Sequence, residues 1–258
     1  MLAYKTYGAA SAVPLVFVHG FPFNAEIWHE QVVFDDTYYL IMVDLPGFGA
    51  SPLEKPPEEV TIDWMAEEVK EVLDYLQVER AVLVGHSMGG YVALAFAEKF
   101  AERLIALSMV CSHARADTAE VRQRRYQWIE LVQSAGVEAV AKALLPNLFS
   151  PLIREYRPEL VDWVYQLMLA APPDAVIGAL YAMARRPDRL HVLQGFRLPL
   201  WVSAGADDQI VPRERVLEMV EAASDSELVV IPAAGHMVML EQPEAFNEAY
   251  LQFLERID

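Results

Sequence analysis

Ala81-Val82-Leu83-Val84-Gly85-His86-Ser87-Met88-Gly89-Gly90 is the stretch on which the reading of this chain turns. A short apolar run ending in glycine is the pattern of a buried parallel strand meeting a turn, and the helical spacing of Tyr91 to Phe100 begins at once afterwards. Between the two lies G-x-S-x-G, in the strand-to-helix context that gives the pattern its meaning. Glycines on both sides of Ser87 relieve crowding in a sharp turn, so the serine can take a strained backbone and hold its hydroxyl clear of the sheet. Composition alone predicts about 0.02 chance occurrences of the pattern before the strand context is required.

Working outward, the same design recurs. Pro14 to Val18 ends at His19-Gly20, and Tyr38 to Val43 ends at Asp44 and Pro46-Gly47. Later apolar runs cover Leu104 to Cys111, Leu198 to Val202 and Leu228 to Ile231. Helical patterns alternate with them at Trp64 to Leu76, Arg213 to Ala223 and Pro243 to Ile257, which predicts a doubly wound, mostly parallel sheet. Ligands of such sheets gather beyond the carboxyl ends of the strands. From about His113 to Leu193 the alternation gives way to helices alone, a helical cap inserted into the core, with Pro172-Pro173 and Asp174 ending one helix and capping the next.

A serine hydroxyl is a poor nucleophile until a base takes its proton, so Ser87 calls for a histidine farther along the chain. His236 meets that need, in the turn AAGHM after the last predicted strand. The base in turn needs a carboxylate to hold its tautomer, and Gly205-Ala206-Asp207-Asp208 supplies one after the strand at Leu198. The order Ser, Asp, His separates this arrangement from other triad-bearing folds. A tetrahedral intermediate also needs two donors for its oxyanion: the Met88 N–H at the start of the helix, and the Phe21 N–H in the turn after His19-Gly20. His19 and His86 read as structural turn residues.

Composition narrows the partners. With 37 acidic and 20 basic residues the net charge is −17, which repels nucleic acid phosphates and anionic lipid heads. Cys111 is the only cysteine, so no intrachain disulfide can form, and a small buried hydrophobe is its expected role. The start, MLAYKTYGAAS, lacks the basic and apolar regions of a signal peptide, and a cytoplasmic location is expected. No H-E-x-x-H, paired C-x-x-C or G-x-x-x-x-G-K-[ST] occurs, so neither metal nor cofactor is expected.

The segments HGFPFN, DLPGFGAS, GHSMGG, GADDQIVP and AGHMVMLEQP together resemble the α/β-hydrolase superfamily over nearly the whole chain. The resemblance implies an α/β-hydrolase core of residues 1-112 and 194-258, with residues 113-193 forming a helical cap inserted after the sixth strand. It puts the acid of G-x-x-D-x-I-V-P on Asp208, with Asp207 the adjacent alternative, and the oxyanion donors on Phe21 and Met88. The relatives it most resembles are small carboxylesterases, 3-oxoadipate enol-lactonases and pimeloyl-carrier-protein methyl ester esterases. The expected activity is therefore cleavage of small to medium carboxylic esters through an acyl-enzyme. Enol-lactonase or C–C bond hydrolase activity, or a triad-bearing ligand sensor, are the alternatives. Pro22 adds a similarity to cofactor-free perhydrolases, which implies a side activity. A small-molecule ester or lactone is the expected partner of a monomer or homodimer. The cap is expected to line the pocket with apolar side chains, Trp128, Trp163, Met168 and Tyr181 among them, which would favour uncharged acyl groups.

Overall fold

In the computed structural model, which describes residues 1–257, the apolar runs become seven strands of one sheet. They are β1 (Tyr4–Tyr7), β2 (Pro14–Val18), β3 (Tyr39–Val43), β4 (Ala81–His86), β5 (Leu104–Val110), β6 (Leu200–Gly205) and β7 (Ser226–Ile231). Their order across the sheet is β1-β3-β2-β4-β5-β6-β7, and only β1 runs antiparallel to its neighbour. Every residue of β3 and β4 is buried, as their unbroken apolar runs require of strands covered on both faces. The predicted set omits β1 because YKTY is four residues long with two exposed polar side chains, an edge strand without an apolar run. It also omits the ten-residue 3-10 helix Ala25–Phe34 after β2.

Helices α1 (Ile62–Tyr75) and α2 (Met88–Lys99) flank β4 in the chain. Thr61 caps α1 by accepting the Trp64 N–H at 3.1 Å, and the helix buries Met65, Val69, Val72 and Leu73 at the spacing of one face. By contrast, α2 buries ten of its twelve residues, because it is covered on more than one side. Between β5 and β6 come α3 (Ala119–Ala135), α4 (Val137–Leu144), α5 (Pro151–Tyr156), α6 (Pro158–Leu169), α7 (Pro173–Arg185) and α8 (Leu190–Gly195). This helical insertion therefore follows the fifth strand and not the sixth, since only five strands precede it in the chain. Pro172 and Pro173 do separate α6 from α7, but the fixed proline backbone sets the start of α7 while Asp174 lies within its first turn.

After β6 come α9 (Arg213–Ala222), then β7, α10 (Val238–Glu241) and α11 (Pro243–Ile257). Residues Phe246, Tyr250 and Phe253 of α11 gather around Trp201 of β6, with the Trp201 and Tyr250 ring centroids 4.7 Å apart. Each such aromatic contributes roughly 1.5–3 kcal/mol by leaving water. Among the described residues no single helix is long and apolar enough to cross a membrane.

Candidate active site

β4 ends at His86, so Ser87 is the first residue beyond the strand and the N-cap of α2. Its backbone sits at φ 51° and ψ −111°, a conformation that side chains rarely adopt and that survives only where the surroundings fix it. They do so here from several directions. The Ser87 N–H donates to the Val110 carbonyl at 2.9 Å, and its carbonyl accepts from the Gly90 N–H at 2.9 Å and from the Ser112 hydroxyl at 2.7 Å. The flanking glycines answer a close approach of chains: a Cβ on Gly85 would lie 2.4 Å from the Gly89 carbonyl oxygen, and one on Gly89 only 2.2 Å from that of Val18.

His236 lies in the turn after β7, held from three sides. Its N–H donates to the Leu148 carbonyl at 2.9 Å, and its own carbonyl accepts from His86 Nε2 at 2.9 Å. The buried Glu241 carboxylate accepts from the N–H groups of Gly235 and Met237 on either side, and from that of Ser150 at 2.8 Å. Asp208, in the loop after β6, places Oδ2 3.0 Å from His236 Nδ1, and both side chains are 3% exposed. Its other oxygen accepts from Ile210 N–H at 2.8 Å and Val211 N–H at 3.1 Å. Burial pushes the Asp208 carboxyl up, but the His236 ring and these two donors outweigh it and hold it below its ordinary value. An ionised Asp208 fixes the proton of His236 on Nδ1 and leaves Nε2 free to accept one. Asp207 is exposed, so the structure sets Asp208 and not its neighbour against the histidine.

His19 and His86 are wholly buried and neutral for identifiable reasons. His19 Nδ1 donates to the Gly20 carbonyl at 2.9 Å while Nε2 accepts from the Leu45 N–H at 2.8 Å. Burial lowers His19 to about 4, and burial with the nearby His236 lowers His86 to about 3. Cys111 is buried behind the pair, its sulfur within 4.8 Å of ligand atoms of Asp208 and His236. Burial and the Asp208 charge push its thiol well up, so it packs there as a neutral S–H.

A cavity of about 470 Å³ brings together Ser87, His236 and Phe21. The Phe21 N–H finds no acceptor among the described residues, and Met88, as the first residue of α2, has no intrahelical partner for its own. Of the four expected pocket residues only Trp128 lines this cavity. Trp163 instead packs edge-on against His29 with centroids 4.9 Å apart, Met168 is fully buried in the core, and Tyr181 lies tilted against Tyr126 with the Arg185 guanidinium over its ring. Trp163 and Tyr181 thus join helices instead of facing the cavity. The cap does supply apolar side chains, Val121, Leu144, Leu148 and Met183 beside Trp128, but the wall is mixed, since Arg124, Arg125, Arg215, His113 and Asp117 also line it. The signal for this was present in Arg122-Gln-Arg-Arg125, three cations within four residues of a chain with net charge −17. Glu241 was likewise in a quoted motif, but no local pattern marks a carboxylate as a brace for a loop six residues upstream.

The description "Alpha/beta hydrolase family" matches residues 15–249. Among curated relatives, 3-oxoadipate enol-lactonase 2 of Acinetobacter baylyi is 30% identical over 100% of this chain and 94% of that protein. A 2-hydroxy-6-oxononadienedioate/2-hydroxy-6-oxononatrienedioate hydrolase of a Pseudomonas species is 27% identical over 94% of this chain and 88% of its own length. Among solved structures, a thermophilic esterase from Thermogutta terrifontis with malate bound superposes with a TM-score of 0.95 at 35% identity, covering 99% of this chain and 93% of that one.

Proposed function

The chain belongs to the alpha/beta hydrolase family, and on that premise we propose that it is a serine hydrolase cleaving small to medium carboxylic esters through an acyl-enzyme. The observation that carries the reading is the 3.0 Å contact of His236 Nδ1 with Asp208, behind a strained Ser87 that shares one cavity with the histidine. Ser87 Oγ attacks the ester carbonyl carbon as His236 Nε2 takes its proton. The oxyanion so formed accepts hydrogen bonds from the Met88 and Phe21 N–H groups. Collapse breaks the bond to the alkoxy oxygen, which leaves as the alcohol with the proton from His236. Water then adds to the acyl-enzyme, with His236 again as base, and Ser87 and the carboxylic acid are released. Asp208 orients the ring and stabilises its charged form. The helical segment 113–193 serves as the cap over this site, on a core of residues 1–112 and 194–258.

The relation to an enol-lactonase supports a second reading of the same chemistry, because a lactone is an internal ester whose leaving oxygen stays attached to the acyl chain. Turnover of p-nitrophenyl esters, with and without prior exposure to an organophosphonate, tests the proposal. Hydrolysis abolished by the reagent and by Ser87→Ala is expected, and ester turnover retained in that variant would remove the nucleophile assignment. Asp208→Asn should lower kcat by about 10⁴, far more than Asp207→Asn; the reverse ranking would transfer the role.

A further inference from the structure

Resting on that reading, we infer that the cavity selects acyl groups carrying a second, free carboxylate remote from the scissile bond. Its recognition surface is Arg124 together with the cluster of Arg125, Arg186 and Asp117. The chain has 37 acidic side chains to draw on, yet among the described residues Asp117 is the only carboxylate in the cavity wall, beside three arginines.

Asp117 is 1% exposed and is shared between Arg125 and Arg186. One carboxylate facing two guanidinium groups leaves the cluster with a surplus positive charge, and Arg186 itself is only 2% exposed. Arg125 and Asp117 of that cluster line the cavity themselves, and Arg186 adjoins it at Tyr91. The Arg186 guanidinium sits 3.8 Å from the centre of the Tyr91 ring, whose hydroxyl meets His113 Nε2 at 3.1 Å. Tyr91 and His113 both line the wall, and the buried His113 Nδ1 has no partner among the described residues. Arg124 adds a second charge: it lies 5.9 Å from the centre of the Trp128 ring, and no carboxylate pairs with it among the described residues. Arg215 does not count toward the surplus, because Glu218 neutralises it at 3.0 Å. Two uncompensated cations beside a partly desolvated cavity favour an anion there, and guanidinium forks match a carboxylate.

The test compares p-nitrophenyl half-esters of adipic, pimelic and suberic acids with the same compounds methylated at the far carboxyl. We expect kcat/KM to favour a half-ester by roughly tenfold at low ionic strength, chiefly through KM. The advantage should shrink as salt screens it, and exposed Arg124→Gln should lower the ratio of charged to methylated substrate severalfold. Turnover of both series with no preference for the half-esters overturns the inference and leaves the serine-ester reading standing. A second measurement stands apart from catalysis: calorimetric binding of monomethyl and dimethyl adipate to the Ser87→Ala chain. Tighter binding of the monomethyl ester supports the anion site even if no ester is turned over; equal or weaker binding overturns it.

Discussion

Acidification should unfold this protein through its histidines, and His113→Gln isolates one of them. Burial holds His19 at about 4 and His86 at about 3, and burial with the neighbouring Arg186 holds His113 at about 3, whereas the unfolded chain protonates histidine near 6.5. Below about pH 6.5 the unfolded chain takes up protons that the folded chain refuses, so stability is full above that value and falls as pH drops toward the folded values. From pH 7.5 to 5.5 each ring removes on the order of 1 kcal/mol, and the three together a few kcal/mol. Glu68 and Glu241, both raised chiefly by burial, act in the opposite sense, because there the folded chain binds more protons; the whole-chain slope is therefore shallower than three protons. Glutamine at position 113 can still hydrogen-bond the Tyr91 hydroxyl but cannot titrate. Urea unfolding of both chains at the two pH values should give a variant that loses about 1 kcal/mol less than the parent. Parallel losses would mean that His113 is not held neutral by its surroundings, and would refute the argument.

Three further substitutions bear on the supports of the site. Gly89→Ala would press a methyl against the Val18 and His19 carbonyls at 2.2 and 2.8 Å, displacing the turn that carries Phe21; a loss of about 1–3 kcal/mol together with lower kcat is expected. Gly136→Ala, where an added Cβ meets nothing within 4 Å, should cost about 1–3 kcal/mol because its φ of 79° and ψ of 175° lie in a region open essentially to glycine alone, and should leave kcat unchanged, so equal losses of kcat in the two glycine variants would contradict the packing account. Glu241→Gln replaces one accepting oxygen by a donor among three backbone N–H groups, and should cost about 1–3 kcal/mol and lower kcat by loosening the His236 turn. Unchanged denaturation and unchanged kcat would show that the carboxylate does not brace that turn.

The core of the fold was legible because its signal is local. β2 occupies the expected residues Pro14–Val18, and α11 the expected Pro243–Ile257, since a buried strand and an amphipathic helix each write their period into consecutive residues. β1 was not legible, because an edge strand needs only backbone pairing to β3 and leaves no apolar pattern. Ser87 was marked by flanking glycines whose purpose is a contact of backbones visible only in the folded chain, the approach of Gly89 to Val18.

The cavity wall resisted the same reasoning for a physical cause. An aromatic on an apolar helix face can point into a pocket or into a neighbouring helix, and the sequence pattern is identical in both cases; Trp128 took the first course and Trp163 the second. Charge is a better guide than hydrophobicity here, because a buried cation must meet a partner while a buried ring need only meet carbon. Arg186 illustrates this: it lies sixty-nine residues from Asp117 in the chain, yet the two meet at 2.6 Å, and Arg125 competes for the same carboxylate. No periodicity links these three positions, but their count of charges does not balance, and an imbalance beside a reactive serine bears on what the serine is built to meet.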